Sequence, residues 1–191
     1  MIVVLCSEII IPIILAQYYP HYHSISMPIS ALGEDGSPVQ FLFKKWQLVN
    51  GLLFLLTIPA FYTHFKKTSK KAAAFLGGSI AAFAILDCIV SGLANHVSDS
   101  NERGFLAKVH LYGSGIGLAG LLIGVFLLIY LSILEENRPL LLFSSITFVG
   151  AVFSMLILSR ISNFTGISQR VSLFLLYSPF FVVSVGMVRK K

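Results

Sequence analysis

Three polar residues interrupt an otherwise apolar stretch at a spacing that supports chemistry. Asp87, Ser91 and Asn95 lie four positions apart, so on a helix they drift by only about 40° per step and share one face. A carboxylate, a hydroxyl and an amide on one face can hold a cation, relay a proton or bind a polar headgroup. Asp99 follows in a short polar loop, and His110 opens the next apolar run. Beyond it, Gly113, Gly117, Gly120 and Gly124 recur at spacings of 4, 3 and 4. That is one stripe down a helix, where a second helix can approach closely. A polar face beside such a seam is how a membrane bundle builds an internal site.

Within this set, Asp87, Asp99 and His110 are the catalytic candidates. The ligand-binding candidates are Asp87, Ser91, Asn95, Asp99, His110 and Arg160. Asp87 is about eight residues from the end of its apolar run, roughly 12 Å deep at 1.5 Å per residue. A carboxylate at such depth costs on the order of 2.5–3.5 kcal/mol on insertion scales, so it should face the bundle interior and have a partner. Glu8 poses the same question in the first apolar run, beside Pro12, which frees a backbone carbonyl one turn back. The two acids together suit a proton or cation relay; bracing between helices through hydrogen bonds is the plainer role for each.

His21, His23, His96 and His110, with Asp99, all fall at one end of the apolar runs. Histidine and carboxylate can bind zinc and activate water for hydrolysis of a lipid ester or amide. No recognised ligand spacing is present, however, and no metal site is assigned. Haem is disfavoured too, since His96 and His110 sit at run ends and no deeper pair exists. No cofactor follows from the residues. His110 stands out because a helix N-terminus favours an anion such as a lipid phosphate. Arg160 and Arg170, flanking the last polar loop, suit anionic headgroups or plain interfacial anchoring. For the glycine stripe, helix packing is the simple explanation and a groove for an acyl chain the sharper one.

The elements that must position these groups follow from composition. Of 191 residues 56% are hydrophobic and 12% charged, with mean hydropathy +0.86. Soluble domains average about 25% charged residues, so the chain is read as a membrane protein in a single domain. Six spans can be drawn, at 2–17, 46–64, 72–95, 105–134, 140–159 and 171–188, giving an all-α polytopic bundle with a long first loop. The net charge of +6 reflects basic residues at span ends and gives no reason to expect nucleic acid. Partners are membrane lipids and, through the glycine stripe, a second membrane protein. Cys6 and Cys88 lie inside apolar runs and form no disulfide framework. The first run lacks a basic leader and a cleavage site, so it is read as a retained span.

Lys66, Lys67, Lys70, Lys71, Arg138, Arg189, Lys190 and Lys191 lie on one side of this scheme. Lys44, Lys45, Arg103, Lys108, Arg160 and Arg170 lie on the other. The denser set marks the cytoplasmic face, which places both termini there. The first loop then faces outward, with Tyr18, Tyr19 and Tyr22 at the membrane surface and Pro20, Pro28, Gly33, Gly36 and Pro38 turning the chain. It is expected to fold back over the mouth of a cavity between the first, third and fourth spans. Asn163-Phe164-Thr165 on that side is a glycosylation sequon.

Tyr19-Pro20-His21-Tyr22, Ile29-Ser30-Ala31-Leu32-Gly33 and Gly36-Ser37-Pro38, running into Asn50-Gly51-Leu52-Leu53, resemble the six-span membrane proteins grouped as domain of unknown function 998. Gly92-Leu93, Asp99 and His110 extend the match in order. The turn at residues 95–100 lacks the Phe and Pro of the family's pattern, and Glu8 is an addition to it. The family is distantly similar to Frag1/DRAM/Sfk1-type six-span proteins. The resemblance implies fold and topology and brings no activity with it.

Three functions from different classes fit these residues. One is a lipid- or small-molecule-binding protein with an outward-facing pocket. Another is a small interaction subunit packing through the glycine stripe. The third is an intramembrane hydrolase or transferase using His110 with a nearby carboxylate.

Overall fold

A computed structural model describes residues 1–94, 104–157, 160–161 and 163–189. Asn95, His96 and Asp99 therefore lie outside the described residues. The chain folds into α1 (Ile2–Ala16), α2 (Gln40–Phe65), α3 (Lys70–Leu93), α4 (Phe105–Leu134), α5 (Arg138–Leu156) and α6 (Thr165–Arg189). No strand occurs among the described residues, as expected where every backbone group must be satisfied within its own segment. Helices α2 to α6 are each long and apolar enough to cross a membrane. The first, at 15 residues, falls short of the ~20 residues needed for the hydrocarbon core.

Helix α4 coincides with the 105–134 span drawn from hydropathy. By contrast, α2 and α6 each begin six residues earlier than expected. Their opening turns, Gln40–Lys45 and Thr165–Arg170, are too polar to register as membrane-spanning, yet they pack against the first loop. The helix starts are conventional elsewhere. Ser69 caps α3 by accepting from the Ala72 amide, and Asn137 caps α5 by accepting from the Leu140 amide, with Pro139 just inside the helix.

The six helices close into a ring: α1 packs on α2 and α6, and α2–α3, α3–α4, α4–α5 and α5–α6 complete the circuit. One end of the ring is filled. Phe54, Phe61, Phe83, Tyr177 and Phe180 interlock there, with Phe54 and Phe83 edge to face at 5.2 Å between ring centres. Leucines and isoleucines from α2 to α6 point outward, as on a surface solvated by lipid; Leu56 and Ile146 are at least 70% exposed. At the other end the first loop makes a small core of its own. A single 3-10 turn, Ile29–Gly33, sets Leu32 against Val39 and Phe43.

Helix α3 is not uniform. Residues Phe83–Ile89 form a π-helical turn, wider than an α turn and often found at functional sites. Glycines on both neighbours make room for it. A Cβ on Gly51 of α2 would lie 2.8 Å from the Ala84 carbonyl oxygen, and one on Gly117 of α4 would lie 2.8 Å from both N and Cβ of Asp87. The rest of the stripe faces the same helix: a Cβ on Gly113 would meet the Leu86 carbonyl oxygen at 2.9 Å, and one on Gly120 the Ser79 carbonyl oxygen at 3.2 Å. At Gly124 it would meet the Phe180 ring and Ser79 Oγ, both at 2.8 Å.

Gly117→Ala should therefore destabilise the bundle by ~1–3 kcal/mol, because the backbone it meets cannot move aside as a flexible side chain would. Gly78→Ala, whose Cβ would meet nothing within 4 Å, should change stability by less than about 0.5 kcal/mol. Denaturation of the two variants in the same detergent checks the contrast; equal losses would refute the account of the seam.

Candidate functional site

The unfilled end of the ring holds a cavity of about 750 Å³. Every helix contributes to its wall: Glu8 from α1, Phe43 and Gln47 from α2, Asp87 and Ser91 from α3, His110 and Ser114 from α4, Met155 from α5, and Ser168 and Gln169 from α6. Pro28, Ile29 and Ser30 of the first loop form part of the wall as well. The cavity is thus wider than a gap between the first, third and fourth spans. Its apolar side is the outward-leaning face of α4, with Leu111, Leu118 and Leu122, joined by Leu173 of α6.

The π turn sets the position of Asp87. Ser114 donates a hydrogen bond to the Asp87 carboxylate, and Ser114 Oγ lies 3.3 Å from Ser91 Oγ. Asp87, Ser91 and His110 are accordingly brought to one cavity. Asn95 and Asp99 fall outside the described residues. Arg160 is exposed and does not line the cavity.

Glu8 sits at the inner end of the polar wall, 7% exposed. Its Oε1 accepts a short hydrogen bond from Asn50 Nδ2, and its Oε2 accepts from the Tyr177 hydroxyl at 2.8 Å. Asn50 is held in turn by Ser7, whose Oγ donates to Asn50 Oδ1 at 2.8 Å. This satisfied carboxylate ties α1 to α2 and α6. Gln47 differs. It is 6% exposed, lines the cavity, and its Oε1 has no hydrogen-bond partner among the described residues.

Three groups escaped the sequence reading as site residues. Asn50 and Tyr177 each carry a polar atom inside an apolar run, a signal that marks them as partners for something buried, though not for what. Gln47 carries the same signal one turn before Asn50.

Arg170 takes a different role from headgroup binding. Its Nη1 donates to the carbonyls of Ser24 at 2.7 Å, Gly166 at 2.9 Å and Met27 at 3.1 Å, and its Nη2 to the Tyr22 hydroxyl. The guanidinium also lies 5.6 Å from the centre of the Tyr22 ring. Beside it, Gln169 Oε1 accepts from the Ile29 amide at 2.7 Å, and the Ile167 amide donates to the Ile25 carbonyl at 2.9 Å. Gly166 permits this contact, since a Cβ there would fall 2.3 Å from the Met27 carbonyl oxygen. The first loop is strapped to the head of α6, and the strap holds Pro28–Ser30 in the cavity wall.

Among the described residues no three His, Cys, Asp or Glu side chains cluster as metal ligands. A closed helical bundle with five membrane-length apolar helices and a polar-walled cavity defines a multi-pass integral membrane protein. The chain matches the family described as a protein of unknown function, DUF998, over residues 2–186, and belongs to it. Comparison with curated proteins and with solved structures gives no match.

Burial raises the pKa of Tyr22 above its ordinary value of 10.0, while the neighbouring Arg170 pulls it down by less. The neutral phenol is the form that donates to the Pro28 carbonyl at 3.0 Å. A raised folded-state pKa means that the strap's contribution is whole below pH 10 and is lost as pH rises through the folded value. Arg170→Lys should loosen the strap at neutral pH, because an ammonium cannot reproduce the planar fork. Hydrogen exchange of residues 22–29 should quicken about tenfold or more, with α4 unchanged. Unaltered exchange would mean that Arg170 does not anchor the loop.

Proposed function

We propose that this protein binds a lipid-like or amphiphilic ligand in the cavity at the loop end of the bundle. The observation that carries the reading is the cavity itself. At about 750 Å³ it lies within the roughly 300–1,000 Å³ typical of small-molecule sites. Polar groups converge on one side, at Glu8, Gln47, Asp87 and His110, and leucines line the other. A ligand with a polar head and an apolar tail matches that division. In this reading α1 completes a six-helix membrane bundle, both termini are cytoplasmic, and the cavity opens toward the outer leaflet.

An interaction subunit built on the glycine stripe is less well supported, since those glycines are taken up by α3 and by Phe180 of the same chain. A hydrolase would use His110 and Asp87, which share the cavity wall with the Ser91 and Ser114 hydroxyls.

The test fills the cavity without disturbing the backbone. A Cβ at Gly115 would meet nothing within 4 Å, and Gly115 lines the cavity at an exposed position of α4, so Gly115→Phe should obstruct the cavity from its α4 side. Native mass spectrometry of protein extracted in mild detergent should show a one-to-one amphiphile adduct on the wild type. The adduct should be absent from a folded Gly115→Phe variant. An adduct that survives in Gly115→Phe, or a wild type that carries none, would overturn the reading.

A further inference from the structure

We infer that the ligand of this cavity is a cationic amphiphile, one whose head is a protonated amine. The inference rests on the binding reading above and narrows it. Glu8 and Asp87 line one cavity, and no Lys or Arg is among its described lining residues. Of the described arginines toward that end, Arg170 is engaged by backbone carbonyls, and Arg160 is exposed outside the cavity. Among the described lining residues no lysine or arginine balances these two carboxylates, and buried carboxylates call for a counter-charge.

The third group is Gln47, a lining residue more than nine-tenths buried, whose Oε1 has no hydrogen-bond partner among the described residues. A buried carbonyl oxygen left without a donor is destabilising. It persists most economically where a ligand brings the donor. An ammonium offers three N–H donors and no acceptor. The wall offers Asp87, Glu8 and the Gln47 carbonyl oxygen, all acceptors. An anionic head would face two carboxylates and an unfilled acceptor, and a phosphate has no N–H to give Gln47. His110 also lines this wall. The leucine face of α4, with Leu111, Leu118 and Leu122, receives the chain.

The experiment measures binding of radiolabelled dodecylamine to the full chain in lipid nanodiscs, with empty nanodiscs subtracted and dodecanol, dodecanoate and ethylamine as competitors. Wild type should bind dodecylamine, and dodecanol, dodecanoate and ethylamine should each compete at least about tenfold more weakly, the scale of one charge-assisted hydrogen bond. Asp87→Asn keeps the shape of the side chain and should weaken dodecylamine about tenfold, leaving dodecanol within about twofold. Gln47→Leu should weaken the amine in the same sense.

Dodecanol or dodecanoate competing as well as the amine would overturn the amine inference and leave an amphiphile pocket standing. Ethylamine competing equally would remove the chain from the ligand class. Amine binding unchanged in both variants would remove Asp87 and Gln47 from recognition, and with them the inference. If neither dodecylamine nor dodecanol binds the wild type, the pocket reading falls as well.

Discussion

The ring of helices closes through one buried carboxylate. Helix α1 is too short to hold its place by spanning the hydrocarbon, and lipid offers it no hydrophobic gain over a protein neighbour. What fixes it is Glu8, both of whose oxygens accept hydrogen bonds, from Asn50 on α2 and Tyr177 on α6. Leaving any of these groups unpaired would be costly in an apolar surrounding. The three helices are therefore bound as a unit. The space enclosed on the loop side of that knot is the cavity, so the site exists because the ring is shut.

Packing divides the interior into two unequal halves. On one side of Glu8, aromatic rings interlock and α3 nests between glycines. On the other, serines and longer polar side chains stand in for leucines, and the space is not filled. The π turn lies at the junction. Its extra width is accepted only because Gly51 and Gly117 lack side chains there, and it turns Asp87 toward Ser114 and the cavity. Close packing and site geometry thus arise from the same residues.

Much of the fold was legible in sequence and much of the site was not. Hydropathy located the helices, because lipid imposes a length and a composition that a one-dimensional pattern carries. It missed the polar first turns of α2 and α6, which are helical although they lie outside the apolar runs. Asp87 and Ser91 were legible as one helix face from their spacing of four, and His110 as the head of the next helix; that all three line one cavity is a matter of packing. Glu8 was visible only as an oddity. Its partners lie 42 and 169 residues away, and no local pattern encodes such a pairing. Arg170, at a loop boundary, reads as a headgroup contact or an interfacial anchor; its contacts with the first loop were not legible, because they depend on Gly166 one turn earlier letting that loop come close.

The strap and the Glu8 knot share a property that bears on how the protein is made. Arg170 reaches a tyrosine 148 positions earlier, Gln169 an amide 140 positions earlier, and Tyr177 a carboxylate 169 positions earlier. Synthesis runs from the amino end, so α1 and the first loop emerge long before α6 exists. Through most of translation Glu8 lacks its phenol, and the Tyr22–Ile29 segment lacks the guanidinium and amide that organise it. Adjacent helices can pair as they appear, but closure must wait for the last one. The cavity is in this sense a late product of biogenesis. A chain halted before α6 would lack the glutamine, arginine and tyrosine that close the ring.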